Sequence, residues 1–362
     1  MRILHCADIH LDSKMETNLD KKQAKERRGE LLNTFTRMVR YAEDNAVDAV
    51  LIAGDLFDRK SISAAARNTV LDSIKSARGI VFYILQGNHD EGSLFGDGEE
   101  HPENVRLFGE RWKAYLMGNV VISGVELNAD NSAGIYNELV LDMKYFNIVM
   151  LHGQAAEAMA KDKTEVINLK ALRGKGIDYL ALGHVHEYKY SELPGGGKYC
   201  YPGCLEGRGF DECGQHGFVL MDVDEATHSF THEFVPFAGR NMYTVPVELE
   251  GDVTSPDVIA AARRAIMQSG AGARDLIKLE LLGNIDAESE LDYETVRAAF
   301  KDDFYFVKVK DSTRPAINEA DYLYDKSLKG EFVRSVMADE SLSEEDKAAV
   351  IRYGLNALKD GQ

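Results

Sequence analysis

Five short runs in the first half of the chain are apolar almost without interruption: ILHCA from residue 3, AVLIA from 49, VFYIL from 81, FNIVML from 146 and YLAL from 179. A strand with one face in water alternates apolar and polar positions. These runs therefore predict strands buried on both faces, as in a largely parallel sheet covered by helices. Between the first three runs the spacing becomes helical. Leu31, Leu32, Phe35, Met38, Val39 and Ala42 share one face of a helix expected over 26–45, and a second helix is expected over 63–76. Residues 91–145 are less regular, with short strands expected at 105–108 and 119–125, and a short helix is expected at 168–173. From residue 188 the pattern turns to short strands broken by glycines, including GFVLMDVD and HSFTHEFVPF. Hairpins of this kind are expected to form a second sheet packed on the first, making a layered α/β sandwich.

A different order begins at residue 240: strand 243–249, helix 256–267, strand 276–282, helix 293–300 and strand 305–309 make a small α/β unit. Beyond Pro315 come two helical stripes, Leu328, Phe332, Val336 and Met337, then Ala348, Ile351, Leu355 and Leu358, with Ser343 and Asp346 spaced to cap the second helix. The expected domains are 1–239, 240–311 and 312–362.

Each buried run ends in metal-ligand residue types. Asp8 and His10 follow the first, Asp55 the second, Asn88, His89 and Asp90 the third, His152 the fourth, and His184 and His186 the fifth. Singly, each has an ordinary explanation as a cap or a turn residue. Together they do not, because Asp, Asn and His at a buried strand mouth cost desolvation unless they are paired or bound to a cation. Mixed carboxylate, amide and imidazole donors imply a site for two divalent ions, suited to manganese, iron or zinc better than to magnesium alone.

With 362 residues the chain exceeds what one core usually serves. No run is apolar enough to cross a membrane, and the chain starts on a strand in place of a leader, so the expectation is a cytoplasmic protein without a membrane partner. Cys200, Cys204 and Cys213 with His216 match no common zinc spacing. The net charge of -18 argues against indiscriminate binding of nucleic acid over the whole surface. The deficit is uneven, however: residues 1–60 hold 11 basic and 11 acidic side chains, and Lys21, Lys22, Lys25, Arg27 and Arg28 crowd one segment. That segment reads either as a basic lip beside the metals or as a solvated helix face.

The set Asp8-x-His10, Gly54-Asp55, Gly87-Asn88-His89-Asp90, His152 and Gly183-His184-x-His186 resembles the calcineurin-type metallophosphoesterases. Its surroundings, CADIHLDS, IAGDLFD, LQGNHD, LALGHVH and YPGCLEGRGFDE, are similar more narrowly to the SbcD-type DNA repair nuclease subunits and their archaeal and eukaryotic relatives, over essentially the whole chain. The resemblance implies a four-layer sandwich of two mixed β-sheets flanked by helices, with a small α/β cap domain and a C-terminal helical tail. It also implies two manganese ions, one held by Asp8, His10, Asp55 and His186, the other by Asp55, Asn88, His152 and His184, with Asp55 shared. His89 would contact the scissile phosphate and Asp90 would orient it. An SbcC-like ATPase subunit and a second copy of the chain are the implied partners besides DNA, with the tail docking on the ATPase through Phe332 and Leu355. One position departs from the archaeal and eukaryotic pattern. Those relatives usually have histidine three residues after the bridging aspartate, where this chain has Asp58, so the geometry of exonucleolytic cutting does not carry over.

The leading expectation is a dinuclear-metal-dependent DNA phosphodiesterase, exonuclease and endonuclease, acting in end processing and repair. A phosphodiesterase or nucleotidase for a small phosphate ester would suit the acidity better. A non-catalytic scaffold would have lost ligands, and none is missing.

Overall fold

A computed structural model describes residues 1–15, 19–58, 62–87, 100–132, 134–156, 166–286, 289, 291–316 and 322–360. The chain divides into two compact units, Met1–Gly239 and Arg240–Gln362.

The first unit opens with β1 (Arg2–Cys6), α1 (Lys21–Asp44), β2 (Ala49–Ala53), α2 (Ala64–Ser76), β3 (Val81–Leu85) and β4 (Val105–Leu107). It continues with β5 (Lys113–Met117), β6 (Val120–Gly124), α3 (Ile135–Glu138), β7 (Phe146–His152), β8 (Gln154–Ala156), β9 (Val166–Asn168) and β10 (Tyr179–Gly183). It ends with β11 (Lys189–Glu192), β12 (Lys198–Tyr201), β13 (Gly217–Asp224) and β14 (Ser229–Pro236). Two six-stranded sheets result, ordered β14-β13-β1-β2-β3-β4 and β11-β12-β10-β7-β6-β5. The first is parallel from β1 to β4 with antiparallel β13 and β14 at one margin, and the second has a parallel centre with an antiparallel strand at each margin.

The layers account for the unbroken apolar runs. On β2, Val50 and Ile52 pack with Leu31 and Phe35 of α1 and Val70 and Ile74 of α2, whereas Leu51 and Ala53 pack between the sheets with Phe146, Met150 and Ala181. The outer face of the second sheet, Val149, Leu151, Leu180 and Leu182, is covered by Ile135, Tyr136, Leu139 and Leu172. Both faces of each central strand are therefore buried, and the fold is the expected layered sandwich.

The hairpin of β13 and β14 extends the first sheet beside β1 and does not form a second one, whose centre is β7 and β10. Two expected helices also differ. α1 begins at Lys21, five residues earlier than its apolar spacing predicts, because Asp20 and Gln23 form a capping box. No helix forms over 168–173: the Asn168 carbonyl side chain accepts from the backbone N–H groups of Lys170 and Ala171, which bends the chain into turns. Arg27 also departs from expectation. It is wholly buried, with Nη1 donating to Glu30 (2.6 Å) and Nη2 to Glu206 (3.2 Å) and to the Gly207 carbonyl (2.8 Å). A guanidinium so engaged cannot reach a phosphate backbone, so Arg27 leaves the basic lip and instead clips α1 to the segment after β12.

In the second unit β15 (Met242–Gly251), β16 (Leu276–Asp286), β17 (Phe306–Asp311) and β18 (Arg314–Ala316) form a parallel sheet. Between the strands run α4 (Ser255–Ser269) and α5 (Tyr293–Ala298), and α6 (Leu328–Met337) and α7 (Glu344–Asp360) follow. The two C-terminal stripes meet each other: Val333, Ile351 and Leu355 are buried with Tyr322, and Phe332, Val336 and Met337 pack against them. Arg352 of α7 donates to Asp311 and to the Tyr293 hydroxyl, tying the pair to the α/β body of the unit. Leu355, expected as a partner anchor, is 1% exposed and belongs to this local core, while Phe332 is half-covered. Burial between the helices satisfies both side chains, so the anchor assignment is withdrawn for Leu355.

Replacing Arg27 with Ala strands Glu206 without its buried counter-charge and should destabilise the chain by about 3–5 kcal/mol. Lys22→Ala, on the exposed first turn of α1, should change stability by less than about 0.5 kcal/mol. Urea unfolding of the full chain compares them, and equal midpoints would show that the Arg27 clip holds nothing.

Candidate metal centre

The ligand candidates sit where β1, β2, β7 and β10 end. The segment after β1 runs beside that after β2: Asp8 N–H donates to the Gly54 carbonyl (3.1 Å), His10 N–H to Asp55 (2.9 Å) and Leu11 N–H to Leu56 (2.9 Å). The second sheet is joined to this pair through Asp8, whose carboxylate oxygens accept from the His184 backbone N–H at 2.9 and 3.0 Å. Asp8, His10, Asp55 and His184 all have left-handed backbone, with φ of 51°, 49°, 51° and 103°. A side chain disfavours that conformation, which persists only where the surroundings over-determine it. Two glycines open the space required. A Cβ on Gly54 would lie 2.2 Å from Nδ1 of His152, and one on Gly87 would lie 2.1 Å from Oδ1 of Asp55.

Three histidines have a polar neighbour close to Nδ1. Nδ1 of His152 lies 2.9 Å from the Ala53 carbonyl, which can only accept. Nδ1 of His186 lies 2.7 Å from Glu212, and Nδ1 of His10 lies 3.1 Å from Asp58. For His152 the hydrogen therefore sits on Nδ1 and Nε2 faces inward; at His186 the nearer partner of Nδ1 is Glu212, with Nη2 of Arg208 at 3.2 Å. The inward atoms converge. Donor atoms of Asp8, His10 and His186 lie within 4.8 Å of one another, as do those of Asp8, Asp55 and His152. Asp8 is common to both groups, and Oδ2 of Asp55, in the second, lies 3.7 Å from Nε2 of His10 and 3.4 Å from Nε2 of His152.

Cations fit this arrangement for a reason internal to it. Nε2 of His10 and Nε2 of His186 are 3.1 Å apart, so where neither carries a hydrogen their lone pairs repel unless a proton or an ion lies between them. The ionisation preferences are set first by burial. Burial raises Asp8 to about 6 against the pull of His152 and His186, and burial lowers His10 to about 4 despite Asp58. Burial also opposes a charge on His152, yet its bond to Asp55 and the charges of Asp55 and Asp8 raise it to about 9. A group of buried carboxylates thus demands positive charge, and a divalent ion supplies more of it than a proton does. Bound ions of this kind activate water and neutralise phosphoryl oxygens.

Of the other expected residues, Asn88, His89 and Asp90 lie outside the described residues. The ring of His184 stands edge-on to His152 with centroids 5.4 Å apart, and it is in neither group of three. Lys21, Lys22 and Lys25 are exposed on α1, and Arg28, half-buried, donates to the Lys14 carbonyl. Cys204 meets His216 at 3.2 Å while Cys213 is exposed, and no such cysteine and histidine group converges among the described residues. Sequence reading missed Asp58, Arg208 and Glu212 as supports of the histidines. Their signal was present only as unexplained charge, two of them inside the glycine-rich YPGCLEGRGFDE. Among the described residues no helix is long and apolar enough to cross a membrane.

Residues 1–188 match the family model described as calcineurin-like phosphoesterase. The chain is 29% identical over 246 residues to the uncharacterized metallophosphoesterase YhaO of Bacillus subtilis, covering 64% of this chain and 59% of that one. It is 26% identical over 299 residues to the DNA double-strand break repair protein Mre11 of Methanopyrus kandleri, covering 73% and 63%. Against Mre11 of Sulfurisphaera tokodaii it is 26% identical over 207 residues, covering 54% and 51%. The chain thus spans between 51% and 63% of the length of these relatives.

Asp55→Asn removes the charge that faces both His10 and His152. Calorimetric titration with manganese should show a fall of about tenfold or more in affinity for one ion or both, and two sites of wild-type strength would take Asp55 out of the centre. Gly87→Ala drives a methyl group into the Asp55 carboxylate and should weaken metal uptake in the same assay. An unchanged isotherm would show that the carboxylate has room to move.

Proposed function

We propose that this chain, which belongs to the calcineurin-like phosphoesterase family, is a dinuclear-metal-dependent DNA phosphodiesterase that cuts and trims DNA ends in repair. The reading is carried by the convergence of Asp8, His10, Asp55, His152 and His186 in a chain whose similarity to a DNA double-strand break repair protein extends over 73% of its length. Manganese is the proposed ion, because imidazole and carboxylate donors together suit it. Asn88 and His184 are proposed to complete the second ion's shell, and His89, oriented by Asp90, to stabilise the leaving oxygen.

An acidic chain needs help to hold DNA. Lys21, Lys22 and Lys25 are exposed on α1 and are proposed to guide the phosphate backbone, with Arg28 behind them. An SbcC-like ATPase, docked on the α6–α7 pair, is proposed to supply further positive surface. Leu328 and Tyr353, 70% and 78% exposed, are among the apolar groups the pair leaves outward for that docking. Residues 240–311 are proposed as a cap that selects DNA shape, and pairing of two copies as the working form, in the cytoplasm.

A small phosphate ester is the second reading, favoured by the net charge of -18. A divalent-ion screen on end-labelled duplex and hairpin DNA, beside bis-para-nitrophenyl phosphate, separates the two. Manganese-dependent DNA cleavage is expected. Rapid turnover of the small diester with intact DNA would overturn the reading.

Replacing Lys21, Lys22 and Lys25 together with Ala should reduce DNA cleavage and flatten its salt dependence, by a slope of about 1 for each phosphate the lysines no longer neutralise. Small-diester hydrolysis should stay within about twofold, since no backbone is steered there. Equal reductions on both substrates would mean damage to the fold. His89→Ala should lower the cleavage rate by about 100-fold or more while both ions still bind. A missing ion in that variant would make His89 a ligand.

A further inference from the structure

The two halves of the centre are supported by different means. Nδ1 of His152 is met by a backbone carbonyl, that of Ala53, while its Nε2 faces Asp55. His10 and His186 instead lean on carboxylates, Asp58 and Glu212, which come from segments far apart in the chain and carry like charge. Left alone, those carboxylates would repel each other and nothing would hold them in register. Arg208 stands between them. Its Nη1 donates to Oδ1 of Asp58 at 3.2 Å, the same oxygen that faces Nδ1 of His10. Its Nη2 and Nε donate to Oε1 of Glu212 at 2.7 and 3.2 Å, the same oxygen that accepts from Nδ1 of His186. The backbone N–H of Arg208 adds a bond to the other oxygen of Glu212 at 2.8 Å.

We infer that Arg208 is a positioning residue for one metal site only: through Asp58 and Glu212 it fixes the rings of His10 and His186, and it has no part in the site built on His152. The inference rests on the two-ion reading of the centre. A planar guanidinium is suited to the task because its fork spans two carboxylates at once, which an ammonium cannot do from one point. Its fork is also committed, since all three side-chain nitrogens reach the two acids and Nη2 lies in addition 3.2 Å from Nδ1 of His186. Outer partners of metal-bound imidazoles commonly change metal affinity by about 10–100-fold, and here the whole of that effect falls on the Asp8, His10 and His186 group.

The test is a manganese binding isotherm by calorimetry on the full chain, for the wild type, Arg208→Gln and Arg208→Lys, with unfolding midpoints taken in chelator. The wild type should bind two ions. Arg208→Gln should bind one with unchanged affinity and the other about 10–100-fold more weakly, and Arg208→Lys should fall between, having the charge without the fork. Adding His186→Ala to Arg208→Gln should leave the stronger site untouched. A wild type that binds fewer than two ions defeats the two-ion reading and this inference with it. A wild type with two sites and an Arg208→Gln variant that weakens both alike, or neither, overturns the assignment alone. Should Arg208→Gln fail to fold, Glu212→Gln takes its place, keeping an acceptor for His186 but losing the pull on Arg208. It should show the same one-sided weakening, and equal weakening at both sites would overturn the inference.

Discussion

Buried carboxylates that face each other need a counter-charge, and the first unit is arranged around that need. Asp8 and Asp55 are both about 1% exposed or less, and three imidazoles close over them. No packing of apolar side chains satisfies such a cluster. The strand mouths must bring acids and bases to one place, and a cation must be able to enter. Left-handed backbone at four ligand positions follows from the same requirement. The chain turns sharply at the end of a strand so that the side chain points across to the neighbouring sheet, and the hydrogen bonds from Asp8 to Gly54 and from His10 to Asp55 hold the turn in place.

The sandwich supplies what the centre cannot supply for itself, namely fixed distances. Each central strand is buried on both faces, so it has no freedom to slide without exposing its whole apolar set. Rigidity of the strands is passed to the ligands through short links: a carbonyl to His152, a backbone N–H to Asp8, a carboxylate to His10 and another to His186. Loop residues far from any strand then join in. Arg27 ties α1 to Glu206 and Gly207, and Arg208 continues from the same segment to Asp58 and Glu212. One glycine-rich stretch thereby serves both the helix that carries the exposed lysines and the histidines of the centre.

The second unit follows a simpler rule. Helices of the length of α6 and α7 are marginal in water by themselves, so their stripes must be covered. The structure covers them with one another, and Arg352 anchors the pair to Asp311 and Tyr293. That burial explains why the pair is stable, and it leaves out Leu328, expected on the first stripe but 70% exposed, as it does Tyr353.

The sequence by itself determined the central strands, the first two helices, the change of architecture at residue 240 and the ligand types at the strand mouths. Those features are local: unbroken apolar runs and helical spacing record burial directly, and an Asp or His after such a run is costly enough to be conspicuous. Arg27 was legible too, since it falls between Ala24 and Leu31 on the inward stripe of α1, but a charge among charges hid it. What covers a stripe was not legible, because periodicity records that Leu355 is buried and not by what. Nor was the proton position of any histidine, or the bridge from Asp58 through Arg208 to Glu212. Those depend on which segments the two sheets bring together across some 150 positions of chain, and contact at that separation is decided by tertiary packing, since no local pattern encodes it.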